Sequence, residues 1–138
     1  MGVDWQARKS QLAEERAKVA SKPISFILDG EPVSGNVSLN SHWAVRHRRN
    51  KHLRNAVFAA AYNAGWRKDW ELYTHIKVTI IGWRGDVDNA ISGTKPIVDA
   101  LTYNDIIRDD NPKYCRVEYE VIRAKGQKKR VRVEADNG

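Results

Sequence analysis

The chain has 138 residues, with 24 Lys and Arg against 17 Asp and Glu, a net charge of +7 and a pI near 9.7. That length supports one hydrophobic core and excludes two ordinary domains, and a single cysteine, Cys115, excludes both an intramolecular disulfide framework and a thiolate metal cluster. The cationic balance favours a polyanionic partner, nucleic acid first; no N-terminal apolar run is long enough for a signal peptide or a membrane span, so the expectation is a cytoplasmic protein with no membrane.

Residues 1–22 carry Trp5, Leu12 and Val19 at seven-residue intervals among charged side chains, and 11–17 is a run of good helix formers. A helical N-terminal extension is therefore expected over 1–22, ahead of a single domain over 23–138. Pro23 opens an extended segment at 24–28, stopped by the turn signal Asp29-Gly30. A Gly, Ser and Asn-rich stretch then leads through Leu39-Asn40-Ser41-His42-Trp43 into a basic run holding Arg46, Arg48, Arg49, Lys51 and Arg54. Leu53, Val57, Ala60, Ala61 and Ala64 keep helical spacing as far as Gly65, which predicts a helix at about 50–64 with a basic leading end. Cations at a helix N-terminus oppose the macrodipole, so phosphate contact explains them better than helix stability does.

Between Tyr73 and Trp83 the residues Ile76, Val78 and Ile80 alternate as in a strand, buried on one face and, towards its end, on both. The polar stretch 89–93 reads as a turn. Thr94 can N-cap a helix whose first turn holds Pro96 and whose apolar face is Ile97, Val98 and Leu101; Lys95 and Asp99, four apart, share one side of it. Tyr103-Asn104-Asp105 breaks that helix, and 106–108 is a short extended piece. Alternating apolar residues predict strands at 116–123 and 130–134, joined through Lys125-Gly126-Gln127-Lys128-Lys129 as a basic hairpin tip. Cys115, beside Tyr114 and Val117, reads as an apolar filler and not as a catalytic thiol.

The chemistry concentrates after the first long strand. Asp86 and Asp88 are two apart, so in extended geometry their carboxylates point the same way. With a third acid from Asp109-Asp110 they offer the hard oxygen donors that Mg²⁺ takes, and a metal-acidified water can attack phosphorus in line. On a basic, phosphate-seeking protein such an acidic cluster would repel its own ligand unless divalent cations lay between them. Lys95 supplies a point charge for the scissile phosphate or for the charge developing on it; the plainer role for Lys95 with Asp99 is a surface ion pair.

The order Asp86-Val87-Asp88-Asn89, Lys95-Pro96-Ile97-Val98-Asp99-Ala100-Leu101, Ile107-Arg108-Asp109-Asp110 resembles the RusA family of Holliday junction resolvases, small homodimeric endonucleases of bacteria and their prophages. The likeness covers about residues 24–134, and 39–43 is similar to the family's N-terminal loop. It implies a single α/β (α+β) domain with a mixed sheet packed by helices, dimeric, with two active sites. It implies further that Asp86, Asp88 and Asp110 are the essential Mg²⁺ ligands (Mn²⁺ substituting), with Asp109 beside them, Lys95 the catalytic lysine, and Asn89 and Asp99 supporting. The partner implied is branched DNA, nicked in symmetric pairs in recombination and repair, in the cytoplasm of a bacterial host. Two departures stand out: Ala90-Ile91-Ser92-Gly93-Thr94 lengthens the spacing before Lys95, and Arg108 stands where an acidic or neutral residue is expected.

The DNA contacts expected are Asn40, Arg46, Arg48, Arg49 and Lys51, with Lys125, Lys128 and Lys129 at the hairpin tip, giving affinity without base readout. Two other functions fit the same residues: a nuclease acting on flaps and forks as well as junctions, and a non-catalytic basic nucleic-acid-binding protein whose acids merely pair with its surplus Arg and Lys.

Overall fold

In the computed structural model, which describes residues 19–29, 43–123 and 126–138, the apolar alternation produces four strands. They are β1 (Ile24–Asp29), β2 (His75–Ile81), β3 (Arg116–Ile122) and β4 (Arg130–Asp136), with helices α1 (Trp43–Asn63), α2 (Val87–Gly93) and α3 (Lys95–Tyr103) between them. Of the helix expected over 1–22, residues 1–18 lie outside the described residues, as do the 30–41 loop with Asn40 and Lys125; residues 19–22 are not helical, and Val19 forms a bridge to Trp70.

The strands form one mixed sheet in the order β1-β4-β2-β3. β4 runs antiparallel to both β1 and β2, and β3 runs parallel to β2. Register sets Phe26 opposite Val133, Val133 opposite Val78 and Val78 opposite Tyr119, so one face collects Ile24, Phe26, Ile76, Val78, Ile80, Val131, Val133 and Ala135. All eight are buried and join Val57 and Ala61 of α1 and Ile97, Val98 and Leu101 of α3 in a single core. The result is an α+β domain with helices packed on one side of its sheet. On β2 the second face also holds buried residues, Thr79 and Ile81. No helix among the described residues is long and apolar enough to cross a membrane.

Three expectations change. The first helix begins at Trp43, seven residues before the position its apolar spacing predicts, because its leading turns are mostly exposed and carry no apolar stripe; its buried residues are Val57 and Ala61. The stretch read as a turn at 89–93 belongs to helix α2. The last two strands are not a hairpin: β2 lies between them, and their link crosses the end of β2. A Cβ placed on Gly82 would lie 3.1 Å from the carbonyl oxygen of Gln127 and 3.3 Å from that of Lys128, and Gly82 has φ +80°. Only glycine meets both demands at low cost.

Candidate functional site

The Asp86 loop is fixed before it reaches the acid. Trp83 is buried, and its indole N–H donates to the Asp86 carbonyl at 2.9 Å. Gly85 lies against that indole, where a Cβ would come within 3.1 Å of the ring, and its carbonyl accepts from the Arg123 guanidinium at 3.0 Å. Asp86 therefore stands at a set position, extended (φ −64°, ψ 141°), as the N-cap of α2; its side chain makes no capping bond. Asp88 is already in the first helical turn, so the same-side geometry expected of an extended Asp-x-Asp does not hold. A carboxylate there also suits the positive end of the helix dipole.

Thr94 joins the two helices, as C-cap of α2 and N-cap of α3. Buried, it donates its hydroxyl proton to the Ile91 carbonyl at 2.7 Å and so closes α2 instead of capping α3 through its side chain, as its position had suggested. This tight junction absorbs the five-residue spacing before Lys95 as helix and sets Lys95 at the first position of α3.

From there Lys95 Nζ reaches Asp110 Oδ2 at 2.5 Å and Asp99 Oδ1 at 3.4 Å. Asp109 Oδ1 accepts the Asp110 backbone N–H at 2.7 Å. The Lys95 hydrogen bond, then the Asp109 contact, hold the Asp110 carboxyl below its usual range, and Asp110 in turn raises the lysine. Downstream, the Asn111 side chain accepts the Lys113 N–H at 3.0 Å, and its backbone carbonyl accepts those of Tyr114 and Cys115. Cys115 is buried as expected; burial first, and Asp110's charge second, push its thiol up to about 11.

One residue was missed. By its sequence, Tyr119 of β3 is only one of that strand's apolar alternates, with Val117 and Val121. Its register opposite Val78 puts it on the helix-covered face, yet at the sheet edge, where it stays 38% exposed. Burial raises its phenol pKa, and the charges of Asp110, Lys95 and Asp99 all act on it.

The cations distribute in two groups. Arg46, Arg48 and Lys51 are exposed and Arg49 half-buried on the first half of α1. At about 100° per residue they form a collar around the helix and not a stripe. Lys128 and Lys129 lie in the crossing link, so they sit at the strand end from which the Asp86 loop departs; Lys128 is 3.8 Å from Asp29.

Asp86, Asp88, Asp109 and Asp110 carry the donor type that Mg²⁺ prefers. Their arrangement does not fit a ready metal centre: among the described residues no three His, Cys, Asp or Glu side chains come together as a metal-holding group. The nearest cation to Asp110 is the ammonium of Lys95. What the structure brings together is Lys95, Asp99, Asp109 and Asp110, with α2 packed against α3 and β3.

A scan against protein-family models finds no match for this chain, and a search of the curated proteins finds none. The likeness drawn from the Asp-x-Asp-Asn, lysine and Asp-Asp segments rests on those residues themselves.

Proposed function

We propose that the protein is a structure-selective endodeoxyribonuclease, dependent on Mg²⁺ or Mn²⁺, that works as a homodimer and nicks four-way DNA junctions in symmetric pairs. The observation that carries this reading is the contact between Lys95 and Asp110. They lie fifteen residues apart in sequence, in two segments that the family resemblance assigns to one active site, and helix α3 delivers one to the other. Lys95 is at the first turn of α3, where a cationic side chain and the helix end both favour a phosphate oxygen. In this proposal Lys95 holds the scissile phosphate and Asp99 and Asp109 keep Lys95 and Asp110 in place, while the cations of α1 and of the link at 128–129 hold flanking phosphates. Two sites related by a dimer axis suit a substrate whose opposed strands are cut in pairs.

A second reading, a non-catalytic nucleic-acid-binding protein, is favoured by the same ion pair seen from the other side: Asp110 is matched by Lys95, and no metal group is assembled among the described residues. A nuclease of broader branched-DNA specificity stands between the two.

The test is cleavage of a labelled synthetic four-way junction by the wild type and by Asp88→Asn, in Mg²⁺ and in EDTA, with linear duplex alongside. Paired nicks that require Mg²⁺ and vanish in Asp88→Asn, with junction binding retained, are expected. Tight junction binding without nicking in any divalent metal would establish the non-catalytic reading instead.

A further inference from the structure

A cavity of about 330 Å³ opens between the segment leading into β2, at Leu72, Tyr73 and Thr74, and the loop that follows the acidic pair, at Arg108, Lys113 and Tyr114. That volume is near the lower end of small-ligand clefts, a size suited to a nucleotide and not to a folded partner. Its chemistry is specific. The Arg108 guanidinium carbon lies 4.3 Å from the centre of the Tyr114 ring, and Lys113 Nζ lies 5.6 Å from the same centre. Two cations are thus held around one aromatic ring, beside a buried tyrosine whose segment is tied to the loop by the Tyr73–Ile107 bridge. The Asn111 turn and the half-burial of Tyr114 fix that ring before any ligand arrives.

Flat aromatic and guanidinium surfaces stack on nucleobases, and a cation beside them meets the phosphate of the same nucleotide. A guanidinium carries five N–H donors, so one that already has a partner keeps donors for another. The location matters equally. Consecutive Cα atoms are about 3.8 Å apart, so the Arg108 Cα is within roughly 8 Å, and the Lys113 Cα within roughly 12 Å, of the Asp110 Cα. A strand with one phosphate at Lys95 and Asp110 has its neighbouring nucleotides at that range.

We propose that this cavity is a nucleotide subsite for the DNA strand: a base stacks on the Tyr114–Arg108 pair, Arg108 and Lys113 hold the adjoining phosphate, and Glu71 and Thr74 at the rim offer hydrogen-bond partners to the base edge. The assignment rests on the reading of Lys95 and Asp110 as a phosphodiester-handling site. It also gives a role to Arg108, which departs from the resembling family at this position.

The experiment is equilibrium binding of a short fluorescein-labelled oligothymidylate to the full chain by anisotropy, for the wild type, Arg108→Gln, Tyr114→Leu, Tyr114→Phe and Lys68→Gln. Lys68 is an exposed cation on the turn after α1 and controls for net charge. Loss of one stacked base predicts about a tenfold weaker complex for Tyr114→Leu, with Tyr114→Phe near the wild type. Arg108→Gln is expected to weaken binding several-fold and to lower the salt dependence by about one counterion, with Lys68→Gln nearly unchanged. Thermal melts confirm that each variant is folded; should Tyr114→Leu fail to fold, Arg108→Gln against Lys68→Gln decides. Equal affinity across the set, or an equal loss in Lys68→Gln, overturns the subsite. Junction nicking by the same proteins reports separately on the proposed function. Nicking without a cavity-dependent affinity removes the subsite alone, whereas cavity-dependent affinity without nicking keeps the subsite and removes the hydrolase.

Discussion

Gly82→Ala is expected to destabilise the protein far more than Gly126→Ala, although both glycines have φ +80°. An alanine at such a φ costs about 1–2 kcal/mol, partly offset by about 0.4–1 kcal/mol from the narrower unfolded ensemble. At Gly126 that is the whole effect, since no described atom lies within 4 Å of an added Cβ, and the net is about 0.5–1 kcal/mol. At Gly82 the Cβ also meets two carbonyl oxygens and the Lys129 Cα at 3.1–3.3 Å, all backbone of the crossing link, which cannot swing away as a side chain would. Such overpacking adds about 1–3 kcal/mol, for a total near 2–4 kcal/mol. An unfolding entropy of about 2.1 cal/mol/K per residue over 138 residues makes each kcal/mol worth about 3.5 °C. The expected falls in Tm are therefore about 7–14 °C for Gly82→Ala and about 2–4 °C for Gly126→Ala. Urea titration should show both as shifts in midpoint at constant m. Equal shifts would refute the crossing and restore a plain hairpin between the last strands.

The Lys95–Asp110 pair predicts a modest pH dependence of stability. Asp110's pKa is depressed in the fold, so its contribution is present above the unfolded value of about 3.9 and is lost as pH falls through the folded value. Lys95's pKa is raised, so its contribution is present below about 10.4 and is lost as pH rises through the folded value. With side chains 57% and 38% exposed, solvent screening holds the pair to less than about 1 kcal/mol. Asp110→Asn should lose no more than this in urea at pH 7, and the difference from wild type should shrink in strong acid; a loss several times larger would mean the site is structural. Cys115, with its thiol at about 11, is only about one part in a thousand thiolate at pH 8. A thiol reagent should label it slowly in the native protein and promptly in urea, and rapid native labelling would contradict its burial. Trp83→Phe removes the indole bond to the Asp86 carbonyl, and a stability loss of about 1 kcal/mol is expected. If Asp86 must be held there for cleavage, junction nicking should fall more steeply than stability in that variant.

The strands were legible because each carries its own alternation: Ile76, Val78 and Ile80, or Val131 and Val133, announce a buried face wherever the strand ends up. Helix α3 was legible from Pro96 and the Ile97, Val98 and Leu101 spacing. What local pattern does not encode is which strand lies beside which. Val121 and Val131 are near in sequence with a glycine-containing link between them, the pattern of a hairpin, and only the more continuous apolar character of β2 marks it as the strand that separates them. Helix α2 escaped notice because seven residues with Asp88, Asn89, Ser92 and Gly93 have poor helix propensity; its ends are secured from outside, by Trp83 on one side and Thr94 on the other. The Lys95 to Asp110 contact was within reach of the sequence through the family resemblance. The nearness of those charges to Tyr119 was not, because it depends on sheet register.

The strand order has a consequence for how the chain is made. β4, the last of the four described strands in chain order, fills an inner place, with β1 hydrogen-bonded on one side and β2 on the other. Until it emerges, β1 has no partner among the named strands and β2 has only β3. A nascent chain can gather α1, α3 and the β2–β3 pair, but the sheet stays in two pieces with apolar edges open. Pairings of such sequence separation are the slow ones, and unpaired edges are where aggregation begins. β4 thus acts as the keystone of the described sheet: a ribosome stalled before it holds Lys95 on helix α3 and Asp110 on the loop that follows, beside a sheet that has yet to close.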